Sequence, residues 1–318
     1  MTNIEIKYNV ALLCGGKSTE REISLKSGAG AKEALLEAGH KVTVFDPSKK
    51  DELVKLIDGN FDVAFLCMHG KYGEDGTLQG FLETIEMPYT GSGVWSSATS
   101  IDKAKTKNVY KEREINTPKM LSVKKENATD VSLIMNELGE HCVVKAVQGG
   151  STIGIYIAES AKQITESINE AFKYDDEVLV EKFITGKEFT VPVIGNDNPE
   201  ALPVIQIIPK NGFYDFDAKY APGGSEHLCP APVSDELTER MQKMAIEAHR
   251  ALNCAGVSRT DILVDEDDVC WAIETNSLPG MTKTSLLPEA GRVAGIPFPE
   301  LCTKLIEYAL ERYENKIH

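Results

Sequence analysis

Apolar residues 9–14 form a short unbroken run that stops at Gly15-Gly16, and the chain then turns amphipathic. Residues 24–39 carry Leu25, Gly28, Ala29, Leu35 and Leu36 at helical spacing, with Lys32 interrupting the stripe. Residues 41–45 and 62–68 are again short apolar runs. Runs of that length predict buried strands, and strands separated by helices predict a parallel sheet with crossover connections. In such sheets ligands collect at the carboxyl ends of the strands. Gly15-Gly16 and His69-Gly70 stand at two of those ends.

After Ser100 the rhythm changes. A lysine-rich helix over 102–112 leads through Pro118 to short strands at 141–146, 153–158, 178–183, 190–194 and 203–208. A loop rich in aromatics and glycine follows at 212–224. Residues 235–253 place Leu237, Met241, Met244, Ala245, Ala248 and Leu252 on one stripe, which predicts a core-facing helix. Two strands and a last helix starting near Pro299 complete the chain, and that helix buries Leu301, Leu305, Ile306, Ala309 and Leu310.

Composition narrows the class. At roughly 150 residues per domain, 318 residues make two or three domains. Apolar residues at 42% and charged residues at 26% exclude a disordered tail or a collagen-like repeat. The formal charge of −15 repels nucleic acid and anionic membrane surfaces, so neither is expected as a partner. No basic segment followed by an apolar one opens the chain, and no apolar run nears the roughly 20 residues that span a bilayer. Seven scattered cysteines without a C-x-x-C pair read as buried free thiols of a cytoplasmic protein. His40, His141, His227, His249 and His318 have no evident partner set and read as surface residues.

Two familiar nucleotide loops fail. A Walker loop needs glycine five positions before Gly16-Lys17-Ser18, where Ala11 stands, and a dinucleotide fingerprint from Gly28-x-Gly30 needs glycine at Glu33. The turn within 143–154 is different: Gly149, Gly150 and Gly154 let backbone N–H groups approach an anion, with Lys145 beside them. An ordinary hairpin loop remains the alternative. Residues 178–184 form a strand that runs into a linker, placed to offer backbone groups and Glu181 to an adenine and ribose.

Near the C-terminus, residues 258–264 and 270–276 read as strands around the polar turn Asp265-Glu266-Asp267-Asp268, whose acids read as solvated. Strand side chains alternate, so Arg259 and Asp261 share a face, as do Glu274 and Asn276. The midpoint between Asp261 and Glu274 falls inside the turn, so the two carboxylates oppose each other. Two carboxylates and an amide oxygen suit Mg²⁺ with substrate phosphates, and Arg259 is placed to clamp a phosphoryl group. The competing reading is a solvent-exposed salt-bridge face.

The motifs taken in order resemble the ATP-grasp superfamily and, within it, the D-alanine–D-alanine ligases. They are Gly15-Gly16-x-Ser18-x-Glu20-x-Glu22-x-Ser24, His69-Gly70-x-x-Gly73-Glu74-Asp75-Gly76-x-x-Gln79-Gly80, and residues 88–93. Asp102-Lys103, Gly150-Ser151-x-x-Gly154, Glu188-Phe189-Thr190 and Lys219-Tyr220 follow, then Arg259-x-Asp261 and Glu274-x-Asn276-x-x-Pro279-Gly280-Met281-Thr282. The resemblance covers essentially the whole chain. It implies an α/β fold, α+β over the last two-thirds, in three domains: a Rossmann-like parallel-sheet domain over 1–98, a central domain over 99–184, and a C-terminal domain over 185–318.

The resemblance also implies residue roles. Lys103, Lys145 and Ser151 match the phosphate site; Glu181, Lys182 and Ile184 match the adenine strand; Glu188 matches the ribose ligand. Asp261, Glu274 and Asn276 match ligands of Mg²⁺ or Mn²⁺, two ions per site. Glu20, with His69 nearby, matches the holder of the first D-alanine's ammonium, and Arg259 lies beside the reacting carboxylate. Gly280, Ser285 and Leu286 match the second D-alanine pocket, and Lys219 and Tyr220 lie in a lid, the tyrosine joined to Glu20 and Ser151. Ala146 and Ser277 depart from the usual proline and threonine without changing a ligand atom.

The implied reaction joins two D-alanines through an acyl phosphate at the expense of ATP, for peptidoglycan precursors, in a cytoplasmic homodimer. Lys219-Tyr220 resembles the dipeptide-forming type, against ligases that join D-alanine to D-lactate or D-serine. A non-catalytic regulatory homologue is the other alternative, and the full set of candidate ligands speaks against it.

Overall fold

The computed structural model describes residues 7–127, 130–148, 154–209 and 224–317. Ser151, Lys219, Tyr220 and His318 lie outside them, as does nearly all of the 212–224 loop. The first stretch runs β1 (Asn9–Leu13), α1 (Arg21–Glu37), β2 (Lys41–Phe45), α2 (Lys50–Asp58), β3 (Val63–Leu66), α3 (Thr77–Thr84), α4 (Val94–Ile101) and α5 (Lys103–Glu112). Next come β4 (Met120–Lys124), α6 (Val131–Leu138), β5 (Cys142–Ala146), β6 (Ile155–Ala158), α7 (Ala161–Ala171) and β7 (Glu177–Lys182). The last stretch holds β8 (Lys187–Gly195), β9 (Glu200–Ala201), β10 (Ile205–Pro209), β11 (Ser225–Leu228), α8 (Asp235–Ala251), β12 (Gly256–Val264), β13 (Cys270–Asn276), α9 (Leu286–Val293) and α10 (Phe298–Ile317).

Three sheets organise these elements. The first is parallel in the order β2-β1-β3, as the alternation of runs and helices predicts. The second is antiparallel in the order β4-β7-β5-β6. The third, also antiparallel, runs β11-β10-β8-β12-β13 with β9 beside β8. Strands β5 and β6 pair antiparallel, with Lys145 opposite Ile155. The stripes expected on α8 and α10 are buried, including Met241, Ala245, Ala248, Leu301 and Ile306.

Helix α1 departs from its expected form. It begins at Arg21, and its buried face is Ser24, Ser27, Gly28, Ala31, Ala34 and Leu35, while Ala29 and Leu36 are exposed. Small residues line that face because the helix lies almost in contact with the end of β1: a Cβ on Gly28 would stand 2.5 Å from Cys14 Sγ. Ser24 is part of the same closure. Its hydroxyl accepts from Gly15 N–H at 2.8 Å and donates to the Cys67 carbonyl at 2.6 Å.

The seven cysteines are free, and six of them are buried. Among the described residues no helix is long and apolar enough to cross a membrane. The surface assignment of the histidines fails at three positions. His40 is buried 3.0 Å from Thr303 Oγ1, and His249 is buried 2.8 Å from Ser258 Oγ. His227 stands between Ser225 and Glu289, with Nδ1 3.0 Å from the carboxylate. Thr303 and Glu289 come from distant parts of the chain, and the nearer Ser225 and Ser258 form no pattern that marks a paired histidine. Asp265 is also no mere solvated acid: it accepts from the Val269 N–H at 2.9 Å and from Trp271 Nε1 at 2.8 Å, building the turn.

Burial and the charge of Arg250 push the His249 pKa down to about 4. The unfolded chain protonates such a histidine near pH 6.5, so it binds the extra proton between pH 6.5 and 4 and the folded state does not. Stability is therefore complete above pH 6.5 and falls as the pH drops through that window, by roughly 2–3 kcal/mol for this residue. Replacing His249 by Gln is expected to flatten the acid side of the melting-temperature profile between pH 6.5 and 4, whatever it does to stability at pH 8.

Candidate functional site

The loop after β1 is pinned to the end of β3. Ser18 Oγ donates to the His69 carbonyl at 2.6 Å and accepts the Glu20 N–H at 3.2 Å. Glu20 stands at the N-cap position of α1, yet its side chain makes no capping bond to that helix. Its carboxylate lies over Gly70 instead: a Cβ on Gly70 would be 2.5 Å from Glu20 Oε2, and the backbone there has φ +71°. Only glycine meets both demands. Glu74 accepts the Gly70 N–H, and burial together with the Glu20 charge pushes its pKa up to about 8. Two acids at one buried corner favour a cationic ligand. His69 is buried, its Nε2 3.0 Å from Ser27 Oγ, and burial followed by the Arg259 charge lowers its pKa to about 4, so the ring is neutral.

In the β12–β13 hairpin Asp261 faces Glu274 and Arg259 faces Asn276, as the turn midpoint predicts. The register then shifts, because Ile262 faces Ala272 and Ile273 is an extra residue on β13. This bulge has a purpose in the burial pattern. Cys270 and Ala272 point to the core, then Thr275 does, so the extra residue puts Glu274 and Asn276 on the side of Arg259 and Asp261. On the opposite side Tyr110 of α5 reaches Thr275 at 2.6 Å and Thr275 reaches Thr260 at 2.8 Å, fastening α5 to the hairpin.

Asp261 is the most heavily bonded acid of this face. Thr190 donates to Oδ1 at 2.6 Å, Arg259 donates through Nε at 3.1 Å and Nη2 at 3.2 Å, and Asn276 approaches Oδ2 at 3.4 Å. Glu274 Oε2 lies 3.9 Å from Lys103 Nζ. The face is part-buried, so it is more than a solvated salt-bridge surface. Among the described residues no three His, Cys, Asp or Glu side chains cluster as a metal site. Two opposed carboxylates and an amide are nevertheless the oxygen set that Mg²⁺ takes when substrate phosphates and water complete its shell. The residues fit that ion.

The central sheet supplies a second cluster. Lys145 and Glu181 lie on one face of β5 and β7, while Val144, Val178 and Val180 fill the hydrophobic core on the other. Lys145 Nζ donates to Glu181 Oε2 at 2.9 Å, and Lys107 of α5 stands 3.2 Å from Oε1. Burial lowers the Lys145 pKa less than Glu181, with Glu274 and Glu188, raises it, so the ammonium is held charged. Burial, with Lys145 acting in the same sense, brings Lys107 down to about 8 against the pull of Glu181. The Glu181 carboxylate thus lies between two lysines, on the same face of the sheet as Lys145. Lys182, the next residue, is exposed.

A cavity of about 660 Å³ brings together Glu20, His69, Lys103, Arg259, Glu274, Asn276, Gly280, Ser285 and Leu286. Its lining, among the described residues, does not include Asp261, Lys145, Glu181, Lys182, Ile184 or Glu188. Ser285 precedes α9 without capping it; its hydroxyl is engaged with Thr282, 2.7 Å from Oγ1 and 3.1 Å from N. The first N–H groups of α9 are left for another acceptor. Glu74, already part of the His69-Gly70 motif, and His227 also line the cavity, while Lys107 behind Glu181 and His227 escape the motif reading. Only Lys107 carries a signal, four residues after Lys103 and so on the same helix face.

The comparison with known proteins follows the same features. The model of the D-ala D-ala ligase N-terminus matches residues 48–92, and that of the D-ala D-ala ligase C-terminus matches 109–307. A D-alanine–D-alanine ligase of Desulforamulus reducens is 45% identical over 313 residues, 95% of this chain and 99% of its own. One of Pelotomaculum thermopropionicum is 41% identical over 308 residues, 95% and 96% respectively. The crystal structure of a Bacillus anthracis D-alanine–D-alanine ligase complexed with ATP superposes with a TM-score of 0.86 at 29% identity, over 97% of this chain and 99% of that one. The sequence match runs along nearly the full length, and the chain belongs to the D-alanine–D-alanine ligase family.

Proposed function

We propose that the cavity is where one D-alanine is phosphorylated by ATP and joined to a second, making the chain an ADP-forming D-alanine–D-alanine ligase. The supporting observation is a single cavity walled by the Glu20 carboxylate, the Arg259 and Glu274 hairpin face, Lys103 and the uncapped start of α9. A carboxylate is a poor electrophile. Attack of the first D-alanine's carboxylate on the γ-phosphorus releases ADP and leaves an acyl phosphate; the deprotonated amine of the second D-alanine then adds to its carbonyl carbon, and phosphate departs.

Glu20 holds the first ammonium, with His69 beside it. Arg259 and Lys103 face the migrating phosphoryl group, and Lys145 binds the nucleotide phosphates. The start of α9, at Ser285 and Leu286 next to Gly280, takes the second carboxylate by its N–H groups. Asp261, Glu274 and Asn276 would hold Mg²⁺ or Mn²⁺, which neutralises phosphate charge when bound. Glu188, the backbone of Glu181 and Lys182, and Ile184 serve the nucleoside, and Ser151, Lys219 and Tyr220 carry the loop and lid roles that their motifs imply.

The same reading places the domain limits at 98/99 and 184/185 and the protein in the cytoplasm as a homodimer. Exposed Leu36, Val44, Val54 and Ile57 near the β2 edge of the first sheet support a subunit contact there. ATP turnover with D-alanine alone, then with D-lactate or D-serine added, tests the reaction by product identification; ADP release without D-alanyl-D-alanine refutes it.

Glu274→Gln keeps the shape of the side chain and removes one charge from the metal face. Turnover is expected to fall by roughly a hundredfold or more with the melting temperature nearly unchanged; full activity at ordinary Mg²⁺ sinks the assignment.

Glu20→Gln is expected to raise the D-alanine concentration needed at the first site by about ten- to a hundredfold, the worth of a charge-assisted hydrogen bond. Gly70→Ala, which drives a methyl group into the same carboxylate, is expected to act in the same direction. Titration of D-alanine at saturating ATP reads both, and unchanged D-alanine dependence in Glu20→Gln removes Glu20 from the substrate site.

A further inference from the structure

A lysine side chain only 1% exposed is costly to bury unless its charge is matched. Lys107 is held on two sides, and its two partners lead to different sheets. On one side its Nζ donates to Thr117 Oγ1 at 2.6 Å, and that hydroxyl donates to the Ala272 carbonyl of β13 at 2.7 Å. Asn116 reinforces the link, accepting the Ala272 N–H at 2.8 Å and donating to the Cys270 carbonyl at 2.8 Å. On the other side Lys107 meets Glu181 Oε1 at 3.2 Å, while Lys145 holds Oε2 at 2.9 Å. An unbroken polar chain thus runs from β13, two residues before Glu274, to Lys145 on the central sheet.

Charge decides what the chain does. Glu181 alone beside Lys145 would cancel the charge that a nucleotide phosphate needs. With Lys107 present the buried trio carries one net positive charge, shared across the carboxylate. We propose that Lys107 is a positioning residue for ATP: it occupies one oxygen of Glu181, so that Lys145 keeps its field for the phosphates and its place relative to the Glu274 hairpin. The inference rests on the reading of Lys145 as a phosphate ligand. A purely structural Lys107 would matter for folding and be indifferent to ATP.

The test compares Lys107→Met, Lys107→Gln, Lys145→Met and the double variant Lys107→Gln/Glu181→Gln, with ATP and D-alanine KM values and melting curves for each. Lys107→Gln keeps amide donors for Thr117 and Glu181, which guards the test against a folding failure of the methionine variant. Both Lys107 variants are expected to raise the ATP KM about tenfold and leave the D-alanine KM values within about twofold. Adding Glu181→Gln removes the cancelling charge and is expected to restore the ATP KM to within about threefold of the parent protein. An unchanged ATP KM in a folded Lys107 variant overturns the inference, and so does a loss that Glu181→Gln fails to restore. If Lys145→Met raises the ATP KM while the Lys107 variants do not, only this inference falls. If Lys145→Met leaves it unmoved, the phosphate reading fails and takes this one with it.

Discussion

Two carboxylates face each other across a hairpin, Asp261 on β12 and Glu274 on β13, and most of the polar architecture exists to make that tolerable. Like charges in direct opposition repel unless cations or donors lie among them. Arg259, Thr190 and Asn276 surround Asp261, and Lys103 stands toward Glu274. Those donors arrive from β8, β12, β13 and α5, so the sheet register and the seating of one helix are fixed by the same electrostatic demand. The bulge at Ile273 belongs to this demand too, since a regular strand that buries Cys270 and Ala272 would turn Glu274 toward the core.

Helix α5 is the mechanical partner of the hairpin. Lys103, Lys107 and Tyr110 sit on it within two turns, and they reach Glu274, Glu181 and Thr275 respectively. Central sheet and C-terminal sheet are therefore held by one rigid rod through three different polar contacts. Substitutions within this set share partners, so their energetic effects are not additive.

The opposition of Asp261 and Glu274 agrees with the midpoint drawn from the sequence, but the turn alone pairs Ile262 with Ala272 and so Asp261 with Ile273; the bulge, which no local pattern marks, completes the match. The parallel first sheet was legible because buried strands and crossover helices differ in period. What escaped was whatever depends on distant partners. Lys107 reads as one lysine in a lysine-rich helix until Glu181 is brought to it from β7. The α1 face reads weakly because close packing selects Ser24, Ser27 and Gly28 there, and small residues leave no hydrophobic stripe. His40 and His249 read as surface residues because Thr303 and Ser258, each paired with one ring nitrogen, give no local sign.

The buried thiols have a practical meaning. Burial raises the pKa of every one of the seven, from Cys14 to Cys302, so the folded chain presents almost no thiolate at neutral pH. They are also distributed. Cys14, Cys67 and Cys302 lie in the core under the parallel sheet, Cys142 in that of the central sheet, and Cys270 in that beneath α8. An alkylating reagent in native buffer therefore reacts with each of the six buried thiols only when its own core opens, whereas half-buried Cys229 is partly accessible already. The labelling order of the cysteines records which part of the molecule breathes first, with no foreign probe introduced.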